Sequence, residues 1–191
     1  MVILAAVSVL SWCSVVALLL LLLALELQLG RAPRLELSAS QVWPEAISAV
    51  RVVIPVFNEE ENIGECLDAL GAALPPDLPV AVLVADDEST DGTVALAQSS
   101  SSVQVVSAGP RPAVERWCGK NWPASVAAAM PWPDGDSEQQ WLLFLDADVK
   151  LRPGAIAAAL SEASRSGADL LSLAPRLECG CLAEWLVQPI V

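Results

Sequence analysis

The chain has 191 residues, a net charge of −13 and a hydrophobic fraction of 54%. That length suits one domain, or one domain and a membrane segment; the charge excludes a nucleic-acid partner, which needs a basic face, but not nucleotides held through a metal. With no His and no Tyr, Ser-His-Asp, Cys-His and His-metal chemistry are excluded as well.

The hydrophobic excess lies at the N-terminus. Val2 to Leu25 carries no charge and includes the leucine run Leu18 to Leu23. A helix of this length spans roughly 36 Å, enough to cross a bilayer. A signal peptide would have a basic start, a shorter apolar core and a small-residue cleavage site; here nothing basic precedes the apolar run, and the run is too long. Residues 2–28 are therefore expected to be a retained membrane anchor. Arg31 and Arg34 follow it and no basic residue precedes it, which orients the remainder toward the cytoplasm. Residues 29–49, with Pro33 and Pro44, read as a linker.

The β-branched run Val50 to Ile54 predicts a strand. Pro55 is expected to stop its ladder, and Asn58 to cap a helix with Glu59 to Glu61 in its first turn. Ile63, Cys66, Leu67 and Leu70 then recur at helical steps, and Pro75 and Pro76 end the helix. A second strand, Val80 to Ala85, empties into Asp86-Asp87-Glu88-Ser89-Thr90-Asp91-Gly92-Thr93. There Thr90 or Asp91 can cap a helix starting near Gly92. Val103 to Val106 is a third short strand. Gly109 to Pro123 reads as a long loop containing Trp117-Cys118-Gly119-Lys120-Asn121-Trp122, ahead of an Ala-rich helix, Pro123 to Met130. Lys120 is one of only two lysines. It is either a phosphate-neutralising cation or a chance surface charge.

The chain is organised around Trp141-Leu142-Leu143-Phe144-Leu145-Asp146-Ala147-Asp148. An apolar run that stops at two carboxylates reads as a buried parallel strand, and ligands in open α/β sheets bind beyond such strand ends. Residues i and i+2 of an extended segment point the same way. Two carboxylates about 6–7 Å apart repel unless a cation lies between them. Either Asp146 and Asp148 hold Mg²⁺ or Mn²⁺, which brings a substrate's phosphates, or they form a solvated acidic turn. A helix over Pro153 to Ser166 and a fifth strand over Ala168 to Ala174 follow. Strands alternating with helices predict an α/β fold, a doubly wound, mostly parallel sheet with helices on both faces. The domain is expected over residues 50–174, with an apolar tail over residues 175–191. The odd cysteine count (Cys13, Cys66, Cys118, Cys179 and Cys181) suggests free thiols. Cys179-Gly180-Cys181 lacks the further ligands of a soft-metal site.

Four motifs stand in order: Val-Ile-Pro-Val-Phe-Asn-Glu-Glu, Asp-Asp-Glu-Ser-Thr-Asp-Gly-Thr, the Gly-Lys loop, and Asp-Ala-Asp. Together they resemble the donor half of family-2 inverting glycosyltransferases of the GT-A fold, over about Val50 to Val191. The Gly-Lys-Asn-Trp stretch and the tail from Pro175 to Pro189 look most like the membrane-bound hopanoid-associated branch. The resemblance implies a GT-A, Rossmann-like domain behind a transmembrane helix, a nucleotide-sugar donor (a UDP-sugar above others) and an acceptor of lipid type. It implies that Pro55, Phe57, Asn58 and Glu59 line the nucleotide pocket and that Asp86 or Asp87 contacts the uracil or ribose. Asp148 with Asp146 would hold a divalent cation, Mg²⁺ or Mn²⁺, on the diphosphate, and Lys120 would sit near the phosphates.

The family's general base belongs to an acidic motif well after Asp-x-Asp. Glu178 and Glu184 do not make that motif, so the chain is expected to be cut short. A membrane-anchored, non-catalytic nucleotide-sugar-binding remnant is the alternative. Phe144 to Val149 also fits the start of haloacid-dehalogenase-type phosphatases, but that motif belongs on a first strand, with a Lys and further acids downstream.

Overall fold

The computed structural model describes residues 2–29, 34–37, 42–113, 116–132 and 139–174. The expected linker positions Pro33 and Arg31, and the tail with Glu178, Cys179, Cys181 and Glu184, lie outside the described residues. Two compact units divide the chain, Met1–Glu36 and Leu37–Val191.

The first unit holds helix α1, Val2–Leu29. Its leucines from Leu18 to Leu23 are all exposed. A helix that is apolar all round has no polar face to offer water. No helix is found long and apolar enough to cross a membrane among the described residues. Although the α1 backbone is continuous over 28 residues, its side chains are described only for 12–25 and Leu27.

The second unit is an α/β sandwich. In chain order it contains β1 (Ala49–Val56), α2 (Ile63–Ala73), β2 (Val80–Asp86), α3 (Thr93–Gln98), β3 (Val103–Ser107), α4 (Asn121–Ala128), β4 (Gln140–Phe144) and α5 (Ala155–Ser166). The strands form one sheet ordered β3-β2-β1-β4. All pairings are parallel, with Val50 opposite Val80 and Val53 opposite Phe144.

Strand alternation divides the core in two. Val50, Val52, Ile54 and Val56 of β1 join Ile63, Cys66 and Leu70 of α2 and Ile156 and Leu160 of α5 on one face. Val53 joins Leu83, Ala85 and Ala127 of α4 on the other. The second layer is thin and contains a charge. Arg51, 2% exposed, donates from Nη1 to the carbonyls of Ala128 (3.3 Å) and Met130 (2.5 Å), and from Nη2 to that of Pro131 (2.9 Å). Its guanidinium lies 4.1 Å over the Trp132 ring. The last turn of α4 is thus hydrogen-bonded to β1, rather than packed onto it by large apolar side chains.

Several local expectations are corrected. Pro55 does not stop the β1 ladder, which runs through Pro55 opposite Ala85 to Val56 opposite Asp86. The carbonyl of Val53 accepts from Leu145 N–H, so the same-parity Pro55 faces β4 just beyond that strand's end. Its missing donor has no ladder partner to lose there. The helix after β1 starts at Ile63 behind Asn62, not behind Asn58. Helix α4 begins two residues before Pro123. Ala168 to Ala174 is not a strand. Leu170 is 86% exposed, and a strand needs a ladder partner that no described residue supplies.

Candidate donor-binding site

The chain leaves β1 outward to β2 and β3, then returns to place β4 on the other side of β1. The crevice between the carboxyl ends of β1 and β4 is therefore the topological switch point, where α/β sheets bind ligands. A cavity of about 310 Å³ opens there, lined by Pro55, Val56, Phe57, Glu59, Asp87, Arg111, Gly119, Lys120, Pro123, Asp146, Ala147 and Asp148.

The β1 and β2 loops form one wall. Asn58, at φ 55°, donates its N–H to Ser89 Oγ (3.0 Å) and accepts Thr90 N–H at Oδ1 (2.8 Å). Glu59 N–H donates to Thr93 Oγ1 (2.7 Å), and that hydroxyl donates to Asp91 Oδ1 (2.5 Å). Glu60 N–H reaches Asp91 Oδ2 (3.2 Å), and Gly92 N–H reaches Glu60 Oε2 (2.7 Å). A Cβ on Gly92 would stand 2.9 Å from that same Glu60 oxygen. The Thr93 hydroxyl holds the Asp91 carboxyl below its usual range. Two acidic loops can lie together because the carboxylates of Glu60 and Asp91 each accept from an amide of the other loop.

The other wall comes from the loop before α4 and the turn after β4. Leu145 and Ala147 are buried, whereas Asp146 and Asp148 are exposed to the cavity. Asp146 accepts an ion pair from Lys120 Nζ at 2.6 Å. Gly119, at φ 49°, turns the chain so that Lys120 sits at the start of α4; that left-handed conformation favours glycine. Trp122 Nε1–H donates to the Gly109 carbonyl (3.0 Å), and its ring packs against Trp117 at a centroid distance of 5.4 Å. These contacts close the base of the loop that carries Arg111 and Lys120. Arg111 pairs with Asp87.

Beneath the Asp-x-Asp turn lies Cys66, whose Sγ–H points at the Asp146 carbonyl from 3.7 Å. Burial first, then the nearby carboxylates of Asp148, Asp146 and Glu59, pushes this thiol up to about 11. Lys150 pairs with Glu65 across the same junction, holding the Glu65 carboxyl below its usual range.

The expected site residues thus separate. Pro55, Phe57, Glu59, Asp87, Lys120, Asp146 and Asp148 share the cavity. Asn58 does not line it and instead joins the two loops. Asp86 does not line it either. Its carboxylate accepts Ser89 N–H at 3.2 Å, closing a turn with Glu88 at φ 64°. Arg111 lines the cavity without having been anticipated. Its only signal is a basic residue in a Pro-rich loop of an acidic chain. No group of three or more His, Cys, Asp or Glu side chains gathers for a metal among the described residues. The Asp146 and Asp148 pair nevertheless fits Mg²⁺ or Mn²⁺, which commonly takes one or two carboxylates and completes its shell with phosphate oxygens and water.

A parallel sheet with an acidic, cation-bordered crevice at its switch point defines an α/β domain built to bind a ligand there. Residues 51–187 match the family described as Glycosyl transferase family 2, and the chain belongs to that family. Glycosyltransferase AglE of Haloferax volcanii is 45% identical over 53 residues, covering 28% of this chain and 17% of AglE. The structure of S. aureus TarS in complex with UDP-GlcNAc is similar at 25% identity and a TM-score of 0.44, over 61% of this chain and 31% of that one. Glucosyl-3-phosphoglycerate synthase from Mycobacterium tuberculosis, with Mn²⁺, UDP and glucosyl-3-phosphoglycerate, is similar at 28% identity and a TM-score of 0.44. That match covers 61% of this chain and 39% of the synthase. The chain therefore spans 17% of the curated relative's length.

Proposed function

We propose that the cavity binds the diphosphate of a nucleotide-sugar, a uridine one in the first instance, and that its sugar passes with inversion to an acceptor hydroxyl. The observation that carries this reading is the placement of Asp146 and Asp148 in one cavity with Lys120 and Arg111, at the switch point between β1 and β4. Asp146 and Asp148 are the residues that would hold a divalent cation. Such a cation, when bound, neutralises charge developing on a leaving diphosphate. Lys120 supplies an ammonium on the same wall, beside Asp146. Phe57, 58% exposed, offers an apolar ring face against which a base can stack. Asp87, rather than the turn-forming Asp86, is positioned to accept a hydrogen bond from a ribose hydroxyl or a base N–H. Proline at residue 55 leaves the end of β1 without an amide donor on the β4 side, so that rim repels no cation.

The same reading makes α1 a membrane anchor with the domain on the cytoplasmic side, and the acceptor a lipid. It rests on the uninterrupted apolar length of Val2 to Leu25 and on Arg31 and Arg34 behind it.

The test is calorimetric titration of the full chain in detergent micelles with UDP and UDP-sugars, in Mn²⁺, in Mg²⁺ and in EDTA. Metal-dependent binding that Asp148→Ala abolishes is the expected result. A folded protein that binds none of these ligands would remove the donor-site assignment.

A further inference from the structure

The two basic side chains of the cavity are both held by carboxylates of the same cavity, Lys120 by Asp146 and Arg111 by Asp87. The lining contains four carboxylates, Glu59, Asp87, Asp146 and Asp148, against these two cations. The cavity in this state is net negative and offers no unpaired cation to a diphosphate. Asp148, by contrast, makes no hydrogen bond or ion pair among the described residues. The Asp-x-Asp motif is therefore asymmetric: one carboxylate is neutralised by an ammonium and the other is open.

We propose that Lys120 is an exchange residue. It occupies Asp146 in the donor-free site, yields that carboxylate to the divalent cation, and only then becomes free to meet the donor's phosphates. The inference rests on the donor-site reading above and assigns an order within it, metal first and diphosphate second. Three features support the exchange. The Lys120 and Asp146 side chains are 60% and 49% exposed, so their pair is screened and separable. The backbone beneath Lys120 is held by the Trp122 hydrogen bond to Gly109, so the motion needed is confined to a long side chain. The other lysine, Lys150, is paired with Glu65, which is not part of the cavity lining.

The experiment measures Mn²⁺ alone, by the loss of the free-ion resonance signal, on the full chain in micelles. It compares wild type, Lys120→Met, Asp146→Asn and the double variant, then titrates UDP at saturating Mn²⁺. If Lys120 competes with the cation, Lys120→Met binds Mn²⁺ alone more tightly, by up to about fivefold, the upper end for an exposed ion pair. It also binds UDP at saturating Mn²⁺ more weakly than wild type does. The gain in Mn²⁺ affinity disappears when Lys120→Met is made on Asp146→Asn, where no carboxylate remains to be released. A gain that persists on Asp146→Asn is a general field effect and overturns the exchange, as does unchanged or weaker Mn²⁺ binding by Lys120→Met. In both cases wild type still binds UDP with Mn²⁺, and the donor-site reading stands. If wild type binds neither Mn²⁺ nor UDP, both inferences fall together.

Discussion

The two walls of the cavity are built in opposite ways. The wall of β1 and β2 loops is interlocked by at least five hydrogen bonds between residues 57–62 and 89–93, with Thr93 fully buried at its centre. The wall of α4 and the β4 turn carries an exposed ion pair within it, Lys120 with Asp146, and reaches the other wall through Arg111 and Asp87; it is secured from behind by Arg51 and Trp122. One wall is cross-linked through its backbone amides, the other through a single pair of exposed side chains. The exchange proposed above would use that difference, with side chains moving on one wall against a fixed frame on the other.

The largest expected effect tests the rear attachment. Arg51→Met keeps the length of the side chain but removes its hydrogen bonds to the Ala128, Met130 and Pro131 carbonyls. It should cost about 3 kcal/mol, because three part-buried carbonyls lose their donors together. The measurement is the urea midpoint at constant slope. A loss below about 1 kcal/mol would mean that α4 is held mainly by Val53, Leu83 and Ala127. Thr93→Val probes the interlocked wall. It removes the acceptor for Glu59 N–H and the donor to Asp91, and is expected to cost about 2 kcal/mol. Trp122→Phe keeps the ring but frees the Gly109 carbonyl. Its cost should be about 1 kcal/mol, with loosening confined to the Arg111 and Lys120 loop in hydrogen exchange.

What could be read from the sequence follows the same division. Apolar runs that stop at polar residues mark β1, β2 and β4, but β4 was expected to be buried and instead lies at the edge of the described sheet with Leu142 and Phe144 exposed, because an apolar run does not say how many neighbours its strand will have. Gly119 beside Lys120 marks the loop. The interlock was not legible, since Asn58 and Thr90 or Glu59 and Thr93 are more than thirty residues apart. A short polar side chain reads the same whether it caps a helix or bridges a loop. Asn58 was therefore expected as a cap and Asp86 as a possible ligand contact. Arg51 left a signal in plain view, a lone cation inside a β-branched run, but nothing local says which carbonyls it would meet. The Ala168 to Ala174 run has strand composition without a partner, and composition cannot supply one.

Acid tests the interlocked wall. The Asp91 carboxyl is depressed chiefly by the Thr93 hydroxyl, so its contribution is fully present above the ordinary aspartate value of 3.8 and is lost as pH falls through its lower folded value. The amide shifts of Glu60 and Thr93 should titrate together with a midpoint below 3.8. A midpoint at or above that value would mean the hydroxyl does not favour the charged carboxylate.

The smallest effect lies where the walls meet, at Cys66. Its thiol is raised to about 11 by burial and by the carboxylates above it, so it stays protonated through neutral and mildly alkaline pH. A raised folded value makes its contribution complete below the ordinary thiol value of 9.0, and that contribution fades as pH climbs from there toward about 11. At pH 8, iodoacetamide should label exposed Cys118 while leaving Cys66 unmodified until the chain is unfolded. Cys66→Ser sharpens the comparison. It keeps a donor toward the Asp146 carbonyl but removes the alkaline decline, and should leave the Thr93 wall untouched. Rapid labelling of Cys66 in the folded protein would show that the Asp-x-Asp turn opens to solvent, and that the softness of its wall extends from the side chains into the backbone.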